Sequence, residues 1–365
     1  MGNIRIGIKM IKRRKTRPVK IGNISIGENN PIAVQSMTNT DTSDIESTVS
    51  QILELEKAGC DIVRSSIPDI RSALAVKEIK KHISIPIVGD IHFDHELALA
   101  AIENGIDKIR INPGNIGGKI KTKEVISACR KANIPVRIGV NSGSLDKKFL
   151  AKHNGVTPEA MAESMSEYIG FFLEEDFFDL VLSLKSSDVM KMTEAYRIIS
   201  SRFDYPMHLG VTEAGSVFTG AVKSAVGLGI LLAEGIGDTI RVSLTGDVKK
   251  EILAGRTILR SLGYSMSGIN LISCPTCART RVGLEDLVEK LENKLSELTI
   301  SGQINVAVMG CAVNGPGEAR EADIGIAGGD GEYLLFKKGV IVRKVAESDV
   351  LKVLFDEIGN FGKGK

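Results

Sequence analysis

DIVRSSIPDIRSALAVKEIKKHISIPIVGDIHFDHELALAAIENGIDKIRIN, residues 61–112, contains three short β-rich runs: DIVRSSI (61–67), IPIVGDI (85–91) and DKIRIN (107–112). Amphipathic helical patterns separate them. The same alternation extends outward on both sides. PIAVQSM (31–37) precedes the stretch, and IPVRIGV (134–140), DLVLSLK (179–185), PMHLGV (206–211) and DTIRVSL (238–244) follow it. The intervening helical patterns include DIESTVSQILELEKAG (44–59) and SVFTGAVKSAVGLGILLAEG (216–235). Strands alternating with helices pair in parallel through right-handed crossovers. Eight such units in roughly 230 residues fit a closed (β/α)8 TIM-type barrel. An open doubly wound sheet usually has fewer strands and carries a glycine fingerprint at its switch point, which is missing here. The expected class is therefore α/β, with the barrel over 31–262.

SLGYSMSGIN (261–270) ends the periodic region. After it come a strand (270–273), a helix (284–298), a strand (304–310), DIGIAGG, YLLFKKGVIVRKV (333–345) and a closing helix, the pattern of a small α+β domain over 270–358. Residues 1–30 form an N-terminal arm bearing Arg5, Lys9, Lys12, Arg13, Arg14, Lys15, Arg17 and Lys20. It is expected to be a solvated arm or a hairpin capping the barrel bottom. No aromatics are interleaved for stacking on nucleic acid.

At 365 residues the chain is long enough for two or three domains. With 43% apolar and 25% charged residues, it has ordinary globular usage. A net charge of +2 is too balanced for a dedicated nucleic-acid binder. No apolar run reaches the roughly 18 residues of a membrane span, and the start builds no secretory core, so the expectation is a cytoplasmic protein with no membrane partner.

Five cysteines are too sparse for a disulfide framework. Cys60 and Cys129 fall in regular elements and read as buried thiols. Cys274 and Cys277 stand in SCPTCART and Cys311 in MGCAVNGPGEA, all in turn-rich sequence. A thioredoxin-like dithiol leaves Cys311 unused. Structural zinc wants four Cys or His ligands, and all five histidines precede the cysteines. Three thiolates suit an iron–sulfur cluster, with Glu318 in the glycine-rich NGPGEA as a candidate fourth ligand, and ligand softness favours this over zinc.

In a barrel enzyme the chemistry sits where strands end. Those ends carry Arg64, Asp90, His92, Arg110, Asn112, Arg137, Asn141, Lys185, His208, Glu213, Arg241 and Ser243. Several Arg and Lys on one mouth point to a ligand with more than one phosphate, because guanidinium forks bind phosphoryl oxygens bidentately. PGNIGGKIK is not a P-loop, since Gly114 and Gly118 are too close and Ile120 replaces the Ser or Thr that would hold magnesium. Lys185 supports a rival reading, a Schiff-base lyase of phosphate substrates with a structural zinc domain.

PIAVQSMTNTDT, GDIHFD, RINPGNIG, VRIGVNSGSL, LSLKSS, LGVTEAG, SCPTCART and MGCAVNGPGEA closely resemble the 4-hydroxy-3-methylbut-2-enyl diphosphate synthase family, from about residue 13 to 355. The resemblance implies two-electron reductive ring opening of 2-C-methyl-D-erythritol 2,4-cyclodiphosphate with loss of water. It implies a [4Fe-4S] cluster on Cys274, Cys277, Cys311 and Glu318, with ferredoxin or flavodoxin as donor. It assigns diphosphate binding to Arg64, Arg110, Arg137, Lys185, Arg241 and Ser243. Asp90, His92, Asn112 and Asn141 line the pocket, and Glu213 delivers a proton. The helix at about 247–260 should end at the barrel bottom, and a link of about 8 residues spans at most ~29 Å. The cluster domain is thus expected to serve a second chain's mouth, in a head-to-tail homodimer that the family resemblance also implies.

Overall fold

A computed structural model describes residues 11–265, 268–295, 302–312 and 319–361. They form two units, divided at Tyr264 and Ser265. The first begins with an antiparallel hairpin of β1 (Val19–Ile21) and β2 (Ile24–Ile26). The alternating elements follow: β3 (Ala33–Met37), α1 (Ile45–Lys57), β4 (Ile62–Ser66), α2 (Ile70–Ile79), β5 (Ile87–Asp90) and α3 (His95–Glu103). Next are β6 (Lys108–Ile111), α4 (Gly118–Ala132), β7 (Val136–Asn141), α5 (Lys147–Lys152), α6 (Pro158–Glu174), β8 (Leu180–Lys185) and α7 (Val189–Arg202). The unit ends with β9 (His208–Leu209), α8 (Val217–Ala233), β10 (Thr239–Ile240) and α9 (Val248–Ser261).

The strands run in parallel from β8 through β3 to β10 and β9. A parallel bridge between Leu182 and Met207 joins the two ends. The Tyr196 hydroxyl, from α7, accepts from the Leu184 amide and donates to the His208 carbonyl across the same seam. The barrel is thus nearly closed. β9 and β10 are shorter than their sequence runs, because the chain beyond each leaves the ladder and is held by single bonds such as Thr212 to Ser186.

Local sequence starts the helices cleanly. Asp44, Asp69, Asp94, Asp188 and Asp247 cap α1, α2, α3, α7 and α9, each accepting from a first-turn amide. Such a cap contributes about 1 kcal/mol. These caps sit just past the strand ends, so the βα-loops that build the mouth are anchored on their helix side.

Val19, Ile21 and Ile26 of the hairpin bury against Ala33, Ile62, Val88 and Val181, near the N-terminal ends of β3, β4, β5 and β8. The hairpin therefore seals the barrel bottom. The arginines of the basic segment before it are docked, while Lys12 and Lys15 are exposed. Arg13 pairs with Asp238 at 2.8 Å, and Arg14 donates to the carbonyls of Phe203 and Tyr205. Arg17 pairs with Asp204 while stacking on Tyr205. Charge density at the N-terminus left both a solvated arm and a capping hairpin open, because the arginines' partners lie nearly 190 or more positions later in sequence. Arg5 and Lys9 lie outside the described residues.

The second unit contains β11 (Gly268–Ser273), α10 (Leu284–Leu295), β12 (Gln303–Met309), β13 (Ile324–Gly328), β14 (Glu332–Lys337), β15 (Val340–Ala346) and α11 (Val350–Phe361). Its sheet runs β11-β12-β13-β14-β15, with the first two pairings parallel and the last two antiparallel. Leu284, Leu287 and Leu291 of α10, and Val350, Leu354 and Ile358 of α11, join Ile304, Val308, Ile326 and Leu335 in one core. That helical spacing is the apolar stripe a sheet-covering helix requires. Among the described residues no helix is long and apolar enough to cross a membrane.

Candidate active site

Alternate barrel residues face opposite sides. Val34, Val63, Ile87, Ile109, Ile138, Leu182, Leu184, Leu209 and Ile240 pack in the core shared with the helices. The residues between them point inward. A barrel interior is ordinarily filled by branched apolar side chains, yet here only the bottom layer is apolar. Above it the inward positions carry Gln35, Arg64, Asp90, Lys108, Arg110, Arg137, Ser183, Lys185, His208 and Arg241, nearly all of them buried.

A cleft of about 190 Å³ opens at the strand ends. It gathers the sequence-predicted Arg64, Asp90, His92, Arg110, Arg137, Asn141, Lys185, Arg241 and Ser243, together with Ser183 and Thr212. Sequence reading passed over Ser183, although it lies two positions before Lys185 and so shares its face. Asn112 and His208 do not reach the lining. Asn112 is buried, accepting from the Gly114 amide at 3.2 Å, and so shapes the PGNIGG turn. His208 is fully buried, with Nδ1 2.8 Å from Thr239 Oγ1. Glu213 stands outside the lining, exposed beside Thr212, with φ at +51°. A non-glycine residue in that region costs on the order of 1–3 kcal/mol and is commonest at functional loops.

Two inward glycines make room for the long cations. A Cβ on Gly139 would come within 3.1 Å of the Arg110 guanidinium. One on Gly210 would lie 3.1 Å from Lys185 Nζ and 2.9 Å from the Arg241 carbonyl oxygen.

The charges are unequal. Asp90 Oδ1 accepts from Arg110 Nη1 at 2.9 Å, and Oδ2 lies 3.5 Å from Arg64 Nε and 3.4 Å from His92 Nε2. Burial pushes this carboxyl up, but Arg64 above all, then His92, Arg110 and Arg137, outweigh it and hold it well below the usual carboxylate range. Arg241 lies 3.4 Å from Glu251, which also accepts from Ser36 Oγ at 2.8 Å and the Leu244 amide at 3.0 Å. Strand-end reading did not find Glu251. The available signal was a carboxylate on the buried face of α9, beside Ile252, Gly255 and Ile258. Two carboxylates thus face six basic side chains: Arg64, Lys108, Arg110, Arg137, Lys185 and Arg241. Burial brings Arg64 down to about 10. Burial, then Arg64, Arg241, Arg137 and Arg110, lowers Lys185 far below the normal lysine range.

In the second unit, Cys274 and Cys311 follow the ends of the adjacent parallel strands β11 and β12. Cys274 Sγ accepts from the Gly310 amide at 3.2 Å. Cys277 is exposed, its amide donating to Thr280 Oγ1, and hydrogen bonds from Arg279 draw its thiol below the ordinary value. No helix starts at Cys277; α10 begins at Leu284, so the helix-terminus geometry of a thioredoxin-like dithiol is not formed. Among the described residues no three His, Cys, Asp or Glu are already gathered as ligands, and Glu318 lies outside the described residues. The donors nevertheless fit an iron–sulfur cluster: thiols at one end of one sheet, with an amide already aimed at a sulfur. Cys60 and Cys129, by contrast, are buried, with burial raising both thiols to about 12. They are inert packing groups.

Residues 16–256 match the model of the GcpE TIM-barrel domain, and residues 270–360 that of the GcpE protein C-terminal domain. The chain is 57% identical over 344 residues to 4-hydroxy-3-methylbut-2-en-1-yl diphosphate synthase (flavodoxin) of Clostridium perfringens, covering 94% of this chain and 98% of that one. It is 56% identical over 350 residues to the protein of that name from Caldanaerobacter subterraneus, covering 96% and 98%. Among solved structures, 3-dehydroquinate dehydratase from Geobacillus kaustophilus superposes with a TM-score of 0.50 at 15% identity, over 69% of this chain and 98% of that one. That last likeness speaks for the barrel fold alone.

Proposed function

The chain belongs to the GcpE family, and on that premise we propose that it opens the ring of 2-C-methyl-D-erythritol 2,4-cyclodiphosphate reductively, releasing water and (E)-4-hydroxy-3-methylbut-2-enyl diphosphate. The observation that carries this reading is the convergence of Arg64, Arg110, Arg137, Lys185 and Arg241 on one barrel mouth, against Asp90 and Glu251. A cyclic diphosphate brings the anionic charge this mouth lacks.

Arg64, Arg110, Arg137, Lys185 and Arg241 grip the two phosphates, Ser243 donates a hydroxyl, and Asn141 and His92 close the sides. Asp90 keeps Arg64 and Arg110 apart and aimed, and Glu251 does so for Arg241. Burial strengthens each contact by excluding water. Asn112 and His208 stand outside the lining. Loss of hydroxide as water needs a proton on the departing oxygen, and Glu213, on its strained loop, is the carboxyl assigned to bring it. Cys274, Cys277, Cys311 and Glu318 would hold a [4Fe-4S] cluster, which would pass on the two electrons; the relatives' names specify a flavodoxin, which would be their donor. Iron and acid-labile sulfide near four each per chain, in protein purified without oxygen, test this assignment; stoichiometric zinc without sulfide overturns it. Glu318→Ala is expected to retain iron yet turn over poorly, and unchanged turnover would remove Glu318 from the ligand set.

The functional form is a head-to-tail homodimer in which the cysteine unit of one chain serves its partner's mouth. The short stretch of sequence between α9 and β11 supports this. In a mixed dimer of Glu213→Ala and Cys311→Ala chains, one site keeps both residues and activity survives. Complete loss would sink the shared site.

The Schiff-base reading of Lys185 is not favoured, since the lysine sits among guanidiniums that suit an anion and the family is one of reductases. Lys185→Arg is expected to retain measurable turnover, and borohydride is expected to leave the wild type unmodified. A trapped covalent adduct would restore the lyase reading.

A further inference from the structure

Beneath the cleft lies a tier the proposed reaction does not use. Lys108 is two positions before Arg110 on β6 and His208 two before Gly210 on β9, so both point inward one layer below the mouth. Lys108, His208 and Gln35 are fully buried, and Arg137, which reaches the cleft, is 1% exposed. Lys108 Nζ, His208 Nε2, both amide atoms of Gln35 and two nitrogens of Arg137 have no hydrogen-bond partner among the described protein groups. A protein of this kind pairs nearly all its buried polar atoms. Several unpaired ones in the barrel interior mark a built feature.

The groups facing Lys108 are Arg137 from β7 and Arg64 from β4; those facing His208 are Arg137, Lys185, Lys108 and Arg64. None of these is a carboxylate. Asp90 is engaged by Arg64 and Arg110, and the hairpin closes the space below. An ammonium buried here faces no carboxylate, while a bound diphosphate on Arg137 would supply the missing charge.

We propose that Lys108 and His208 are positioning residues for the diphosphate, taking up a proton from solvent as the ligand arrives and thereby holding Arg137 against it. The proton adds to a nitrogen lone pair, the buffer acid loses it, and nothing is oxidised or reduced. Burial, then Arg137 and Arg64, lowers Lys108 far below its usual value, and burial, then Arg137, Lys185, Lys108 and Arg64, does the same to His208. Because coupling is reciprocal, ligand affinity falls as pH rises.

The inference rests on the cyclodiphosphate reading, and one titration separates the two. The holoprotein, without reductant, is titrated calorimetrically with 2-C-methyl-D-erythritol 2,4-cyclodiphosphate in two buffers of equal pH and different ionisation enthalpy. Each phosphorus carries one ester and one anhydride bond, and its single acidic oxygen is already ionised near neutrality, so any exchanged proton comes from the protein. Wild type should take up as much as about one proton per chain. Lys108→Met should lose most of that uptake and raise KM about tenfold with kcat held, a split that a merely structural lesion would not give. His92→Asn should keep the uptake. Binding with no proton uptake overturns the tier alone, as does uptake that survives Lys108→Met and His208→Asn but vanishes in His92→Asn. No binding in any buffer removes the substrate reading and the tier with it.

Discussion

Arg137→Met is expected to make the protein more resistant to heat while removing most of its activity. The guanidinium is 1% exposed, has unpaired Nε and Nη1, and lies among Arg64, Arg110 and Lys108. Burial, then Arg64 and Arg110, works against its charge, and Asp90 offsets only part of that. Replacing a poorly compensated buried ion with an apolar chain of similar length is often stabilising by about 1–4 kcal/mol. That corresponds to a rise of several degrees in Tm for a barrel of this size. The same change withdraws a desolvated cation from an anionic ligand, a loss of about 2–5 kcal/mol, or between one and a half and four orders of magnitude in kcat/KM, roughly. Calorimetry and steady-state kinetics on one preparation check both signs. A fall in Tm would mean that Arg137 holds the barrel together rather than waiting for a ligand.

Asp90→Asn should act in the opposite sense on stability. Its carboxylate is the group that compensates Arg64 and Arg110, at 3.5 and 2.9 Å. Removing one partner of a buried ionic cluster leaves the others uncompensated, at a cost of about 3–5 kcal/mol. The pH dependence follows from the direction of the shift. The folded-state pKa is depressed, so this stabilisation is present above the unfolded carboxylate range and is lost as pH falls below it toward the folded value. Denaturant titrations at neutral and acid pH should therefore show wild type losing stability on acidification more steeply than Asp90→Asn. Parallel pH profiles, or an unchanged midpoint at neutral pH, would contradict this role. Two inward charges of one cleft are thus expected to have opposite effects on stability.

The eight strands were readable because a parallel barrel strand is short, apolar and followed by an amphipathic helix, and each such run from PIAVQSM to DTIRVSL contains one. Their ends therefore named most of the cleft. Sequence periodicity gives a side chain's face but not its depth. His208 was read as a mouth residue on that ground, though it lies below the opening, and Lys108, two positions before Arg110, was passed over. Glu251 comes from a helix and reaches Arg241 only because α9 folds back over β10 and β3. The docked arginines at the N-terminus were hidden similarly, since Asp204 and Asp238 are brought to them by the closed barrel. Charge counts cannot show such partners.

The most direct test is to incubate anaerobically purified protein with 2-C-methyl-D-erythritol 2,4-cyclodiphosphate and reduced flavodoxin, following products by mass spectrometry. The expected result is (E)-4-hydroxy-3-methylbut-2-enyl diphosphate formed with two electrons consumed per molecule, and none formed by Cys311→Ala. Cyclodiphosphate recovered intact from protein that carries its full complement of iron and sulfide would contradict the proposed function.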